Sequence, residues 1–177
     1  MFLNASLSFS ITIQGKRINN SPSFKSAKVV TLGRFSNNPK LKFIIGDVRD
    51  VERTRMSLKN IDLAFHLAAL KHVPVCEENP NETVLTNIIG TQNIIRGAIA
   101  NNVGTVVQIS TDKAVDPLSL YGITKSCAER LIIAANNEVT NTRFVCVRGG
   151  NVIGTSGSIV PLAREQILSK GKVTLTD

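Results

Sequence analysis

The chain predicts a doubly wound α/β fold built on a parallel sheet, and three observations carry that reading. From Lys28 onward, short apolar runs alternate with stretches of helical period. The runs are continuous rather than alternating, as strands buried on both faces tend to be. The polar residues best suited to chemistry fall just after those runs, at the carboxyl ends of the strands, where such sheets hold ligands.

Residues 1–27 are set apart as a basic leader, in which 6–17 supplies a single apolar run, and residues 28–177 form the domain. Strands are expected over 28–32, 42–45, 63–67, 105–109 and 143–147. Between them, 51–59 reads as a short polar helix. A longer helix over 81–100 carries Leu85, Ile88, Ile89, Ile95, Ala98 and Ile99 at helical spacing. The third, 119–136, carries Leu120, Ile123, Cys127, Leu131 and Ala134 every three or four residues, so that stripe is expected to be buried, with Tyr121 and Lys125 on another face. A last helix is expected over 159–169.

With 177 residues and 42% apolar content, the chain has room for one domain with a sizeable core, and a soluble globular protein is expected. No apolar run approaches the roughly 20 residues needed to span a bilayer. Cys76, Cys127 and Cys146 are widely spaced and form no CxxC pair, which favours a reduced, cytoplasmic protein without a metal site. The net charge of +8 is uneven, because Lys16, Arg17, Lys25, Lys28, Arg34, Lys40 and Lys42 fall within residues 1–46, which contain no Asp or Glu. Such a segment is read as a leader ahead of a targeting peptide or a nucleic-acid arm. Aromatic residues form no stacking platform beside it, so no nucleic-acid partner is expected.

The densest chemistry lies in Ser110-Thr111-Asp112-Lys113-Ala114-Val115-Asp116-Pro117-Leu118-Ser119-Leu120-Tyr121-Gly122-Ile123-Thr124-Lys125. On a helix, Tyr121 and Lys125 share a face, and the lysine cation is expected to lower the phenol's pKa and make it a general base. Asp112 and Lys113 on the preceding loop add a second proton-transfer pair.

The Tyr121-x-x-x-Lys125 pair resembles the signature of extended short-chain dehydrogenases/reductases. The segments Phe43-Ile-Ile-Gly-Asp-Val-Arg-Asp50, His66-Leu-Ala-Ala-Leu-Lys-His-Val-Pro-Val-Cys76, Thr86-Asn87 with Gly90-Thr91, and Gly150-Asn-Val-Ile-Gly154 are similar to the inverting UDP-N-acetylglucosamine 4,6-dehydratases. That resemblance covers about residues 28–177. It implies a Rossmann-like fold, a cytoplasmic homo-oligomer without nucleic-acid or membrane partners, NADP as cofactor and a UDP-sugar substrate. By resemblance, Tyr121 and Lys125 act at the sugar C4 hydroxyl and Lys113 and Asp112 at C5 and C6, while Thr111 or Ser110 holds the C4 oxygen. Asp47 and Val48 match the adenine-binding pair, Ala68 and Ala69 pass close to the cofactor, Arg34 meets the 2′-phosphate and Val152 the nicotinamide. Lys71 and Asn151 look like substrate contacts. The resemblance also implies a product that feeds polysaccharide biosynthesis or flagellin glycosylation.

The chain departs from that family in lacking its T-G-G-T-G-x-x-G turn and in ending at Asp177, ahead of the family's substrate lobe. A fold incomplete at its N-terminus and without most of that lobe is therefore expected. The alternative is a noncatalytic truncated remnant acting at most as a binding domain.

Overall fold

The computed structural model of the chain describes residues 2–3, 9–14, 41–150 and 159–174. Six strands, β1 (Phe2–Leu3), β2 (Phe9–Gln14), β3 (Leu41–Gly46), β4 (Leu63–His66), β5 (Thr105–Thr111) and β6 (Arg143–Gly149), form one sheet in the order β3-β2-β1-β4-β5-β6. The two-residue β1 runs antiparallel to both of its neighbours, and every other pairing is parallel. The expected strand 28–32 lies outside the described residues. Beside β3 stands β2, taken from the segment read as a leader, in register from Phe9↔Leu41 to Gln14↔Gly46.

The other expected strands are present with shifted ends. Strands β5 and β6 run two residues further than their apolar runs, through Ser110↔Arg148 and Thr111↔Gly149. Backbone pairing continues there because the ladder needs only N–H and C=O groups, whatever the side chain.

The helices are α1 (Val51–Ser57), α2 (Val73–Glu78), α3 (Pro80–Val84), α4 (Gly90–Ala100), α5 (Leu120–Ala135) and α6 (Ile159–Lys170). Asp50 caps α1 by accepting from the Arg53 amide at 2.9 Å, and Ser119 caps α5 by accepting from the Gly122 amide at 3.3 Å. The short α2 was not expected; Pro74 in its first turn is suited to a helix start, where no N–H partner is needed.

The long helix expected over 81–100 is α3 and α4 joined by a π turn, Leu85–Ile89. The wider turn rotates the inward face, so Leu85 is 40% exposed while Thr86 and Asn87 are buried.

The expected burial of α5 is also corrected. Ile123 is exposed and Leu120, Cys127 and Leu131 are only partly covered, whereas Gly122, Lys125, Ala128, Glu129, Ile132 and Ala135 face inward. Lys125 and Glu129 can occupy the seam because each finds a polar partner there.

Helices α1, α4 and α5 pack side by side over one face of the sheet. Leu58, Ile61, Ala64, Ile94, Ile95, Ala98, Val103, Val106, Ile132, Ala135 and Phe144 form the core between them. Burying an aliphatic side chain of this kind stabilises the fold by about 1.5–3 kcal/mol. The architecture is Rossmann-like, with its apolar core toward the amino ends of the strands and its polar groups toward the carboxyl ends. Among the described residues, no helix is long and apolar enough to cross a membrane.

Candidate active site

The polar residues converge where β4, β5 and β6 end and α5 begins. Strand β5 ends on Ser110 and Thr111, both at least nine-tenths buried, and the chain then turns through one 3-10 turn, Asp112–Ala114. The Thr111 hydroxyl donates to Asp112 Oδ1 at 2.9 Å and accepts the Lys113 amide at 3.4 Å. The Lys113 ammonium lies 3.5 Å from the same carboxylate oxygen. Asp112 is consequently held below the usual carboxylate range, first by the Thr111 hydrogen bond and then by Lys113.

Gly122 sets the approach of α5 to this turn. A Cβ there would lie 2.4 Å from the Lys113 carbonyl oxygen and 3.0 Å from Pro117 Cβ, so only glycine allows the contact. The neighbouring Tyr121 is thereby brought beside Thr111. The start of α5 is also tied from outside: Glu77 on α2 accepts the Leu120 amide at 2.7 Å.

Tyr121 and Lys125 are one turn apart on α5, but their electrostatics differ from the sequence expectation. Burial pushes the Tyr121 phenol up; hydrogen bonding with Thr111 pulls the other way, and the Asp112 charge adds to the rise. The Lys125 ammonium donates to the Ile109 carbonyl at 2.6 Å, and its pKa is lowered chiefly by burial. With the cation directed at the strand, the phenol is raised rather than lowered in this state.

A buried polar network supports the loop after β4, which carries the half-buried Ala68 and Ala69 and the exposed Lys71. Asn87 Oδ1 accepts the Leu70 amide at 2.8 Å, while its Nδ2 donates to the Leu70 carbonyl at 3.0 Å and to Thr124 Oγ1 at 3.0 Å. One side chain thus joins the π turn, the loop and α5.

Thr91 Oγ1 donates its only proton to the Asn87 carbonyl at 2.7 Å, so the contact between His66 Nε2 and Thr91 Oγ1 at 3.2 Å requires His66 to be the donor. Burial holds His66 neutral, with its pKa lowered to about 3, and the nearby Lys125 charge adds to the effect.

Asp47 and Val48 stand apart from this cluster, at the end of β3. Arg49 engages the Asp47 carboxylate through its backbone amide at 2.9 Å and through its guanidinium, while its Nη1 donates to Glu82 at 2.7 Å. Val48 is buried, and Asn93 Nδ2 donates to its carbonyl at 2.8 Å.

The structure therefore brings Thr111, Asp112, Lys113, Tyr121 and Lys125 together, with the loop 68–71 tied to the same helix through Asn87. Arg34, Asn151 and Val152 lie outside the described residues. Sequence reasoning did not single out Glu77, Gly122, Glu129 or Arg148; their partners are 43, 9 and 19 residues away, and only the fold makes the pairs. Among the described residues, no group of three or more His, Cys, Asp or Glu is placed to hold a metal ion.

A family model described as polysaccharide biosynthesis protein matches residues 19–177. The chain is 51% identical over 142 residues to an uncharacterized membrane protein of Methanocaldococcus jannaschii, covering 79% of this chain and 43% of that one. It is 44% identical over 144 residues to UDP-N-acetylglucosamine 4,6-dehydratase (inverting) of Campylobacter jejuni, covering 80% and 43%. A UDP-glucose 4-epimerase of Rickettsia bellii is 45% identical over 143 residues, covering 80% and 42%. The chain thus spans less than half the length of these curated relatives.

Among solved structures, Pen from Bacillus thuringiensis superposes with a TM-score of 0.84 at 40% identity, covering 96% of this chain and 50% of that one. MoeE5 in complex with UDP-glucose and NAD gives 0.55 at 26% identity, covering 81% and 52%.

Proposed function

This chain belongs to the polysaccharide biosynthesis protein family, and from that premise we propose that it carries the catalytic segment of a nucleotide-sugar 4,6-dehydratase. UDP-N-acetylglucosamine is the proposed substrate, NADP the proposed cofactor and inversion at C5 the proposed outcome. The observation that carries the reading is the Thr111-Asp112-Lys113 turn packed against the first turn of α5, which presents Tyr121 beside it.

The residues at the nicotinamide end suit such a cofactor. Tyr121 is half-buried at the carboxyl end of the sheet, Lys125 is fixed one turn below it, and the buried Ser110 Oγ has no hydrogen-bond partner among the described residues. A bound nicotinamide supplies a reversible hydride acceptor there, for oxidation at C4 and reduction at C6.

Within this reading, Tyr121 takes the proton of the sugar C4 hydroxyl as the phenolate, a state that its burial opposes in this structure, and Thr111 orients that oxygen. The resulting ketone acidifies the hydrogen on C5. The Asp112–Lys113 pair then acts on opposite ends of the C5–C6 bond. For these roles Lys113 must be the neutral amine and Asp112 the carboxylic acid, the reverse of the ion pair in this structure, where Thr111 and Lys113 favour the carboxylate. Lys113 removes the C5 hydrogen, Asp112 protonates the departing C6 hydroxyl, and water leaves. Return of a proton to the opposite face of C5 inverts that centre.

The similar identity to an epimerase, 45% against 44% for the dehydratase, favours one competing reading, exchange of configuration at C4. That reaction needs no acid–base pair at C5 and C6. Mass spectrometry of UDP-N-acetylglucosamine incubated with the protein and NADP separates the two. Loss of one water from the sugar supports the dehydratase, and an isomer of unchanged mass resolved from the substrate by chromatography supports the epimerase.

Lys113→Ala and Tyr121→Phe should each lower turnover by about 10²–10⁴, the usual contribution of a general acid or base. Full turnover in either variant refutes the role assigned to that residue.

A further inference from the structure

The covered face of the sheet changes character along its strands. By register, its first row is Ala64, Val106 and Phe144, its second His66, Gln108 and Cys146, and its third Ser110 and Arg148. Helix α5 follows the same gradient, with Ile132 and Ala135 over the apolar rows and Lys125 and Glu129 over the polar ones. Glu129 is a buried carboxylate, its side chain only 6% exposed, that the proposed chemistry leaves unused.

Two features make Glu129 more than a structural ion. Arg148, at the end of β6, forks onto both of its oxygens: Nε at 2.9 and 3.2 Å, and Nη2 at 2.7 Å. A bidentate pair of this kind fixes both position and charge. Glu129 is also four residues beyond Lys125 on the same helix face, at the spacing where opposite charges attract. We infer that Glu129 is a positioning residue for Lys125: clamped by Arg148, its carboxylate is the counter-charge that keeps the Lys125 side chain cationic inside the seam between α5 and the sheet.

The groups that face Lys125 are consistent with this assignment. Burial works against its charge, and Cys146 and Glu129 work for it. The Cys146 thiol is itself pushed up by burial, so it contributes no full charge near neutrality. Arg148 holds the Glu129 carboxyl below the usual range, with a smaller contribution from Ser110, whose Oγ closes no hydrogen bond of good geometry. On β4, His66 is neutral. Among the described residues, Glu129 is thus the anion that faces Lys125 at neutral pH. The consequence for Tyr121 rests on the catalytic reading above, but the charge state of Lys125 does not.

The test is a pH titration of protein labelled with 13C at lysine Cε, followed by NMR, with the Lys125 resonance identified by its loss in Lys125→Arg. In Glu129→Gln, the Lys125 midpoint should move to lower pH than in the wild type, and Glu129→Asp should return it toward the wild-type value. Glu129→Gln with Arg148→Met removes the arginine that the single variant leaves unpaired and should still shift the midpoint downward, by less than the single variant, which covers a folding defect in the latter. An unchanged midpoint in the folded single or double variant overturns the assignment. The readout requires no turnover, so a protein without dehydratase activity refutes the proposed function and leaves this result standing. In an active protein, the alkaline limb of the pH–rate profile should move with the Lys125 midpoint.

Discussion

Asn87→Ala removes the one side chain that ties the π turn, the loop after β4 and α5 together. Its oxygen faces an N–H and its nitrogen faces a carbonyl and a hydroxyl, so all three contacts at 2.8–3.0 Å are matched donor to acceptor. Each is worth about 0.5–1.5 kcal/mol net, and a buried backbone group left without a partner costs about 1–3 kcal/mol. Asn87 is 2% exposed, so water reaches the vacated groups poorly. A loss of about 3 kcal/mol follows, which at a slope of about 2 kcal/mol per M moves the urea midpoint down by about 1.5 M.

Far-UV circular dichroism during urea unfolding measures that shift, and amide exchange at Leu70 reports whether the loop has come loose. Thr124→Val removes only one of the three contacts and should cost about 1 kcal/mol with Leu70 still protected. A midpoint within about 0.3 M of wild type for Asn87→Ala, with Leu70 protection intact, would falsify the account of Asn87 as a tie.

Three further outcomes are expected. Gly122→Ala places a Cβ 2.4 Å from a backbone oxygen, so α5 must shift away from the 3-10 turn, with a cost of about 1–3 kcal/mol measurable as a lower Tm. His66 is neutral in the folded state down to pH about 3, while an unfolded histidine gains its proton near 6.5. The unfolded state therefore binds more protons between those values, and stability falls as pH drops through that window by up to about 1.4 kcal/mol per pH unit from this group. Urea titrations of wild type and His66→Gln at pH 7, 6 and 5 read the difference, and parallel curves would reject a neutral buried His66. Glu77→Ala leaves the Leu120 amide without its 2.7 Å acceptor and should cost about 1 kcal/mol, checked by thermal unfolding.

The alternation of apolar runs and helical periods determined the sheet and most of its helices, because continuous strands and amphipathic helices are written in local order. The spacing of Tyr121 and Lys125, and the adjacency of Thr111, Asp112 and Lys113, were legible for the same reason: four residues apart on a helix, or consecutive in a turn, are distances the backbone sets by itself. The tertiary structure decided what those groups meet. Lys125 bonds the carbonyl of Ile109, 16 residues away, instead of serving the phenol directly. Asn87 reaches 17 residues back to Leu70 and 37 forward to Thr124, from a π turn that no hydrophobic period reveals.

The inward face of α5 was misread for a related physical reason. Counting apolar residues assigns burial to Ile123 and Leu131, yet a lysine and a glutamate occupy the seam, because a strand carbonyl and an arginine from β6 satisfy their charges. Likewise, β2 became part of the sheet through a partner, β3, that lies 32 residues further along at each register position. Sequence specifies which chemistry is carried and the local geometry that presents it; only the folded chain supplies the distant partners that bury, charge and orient each group.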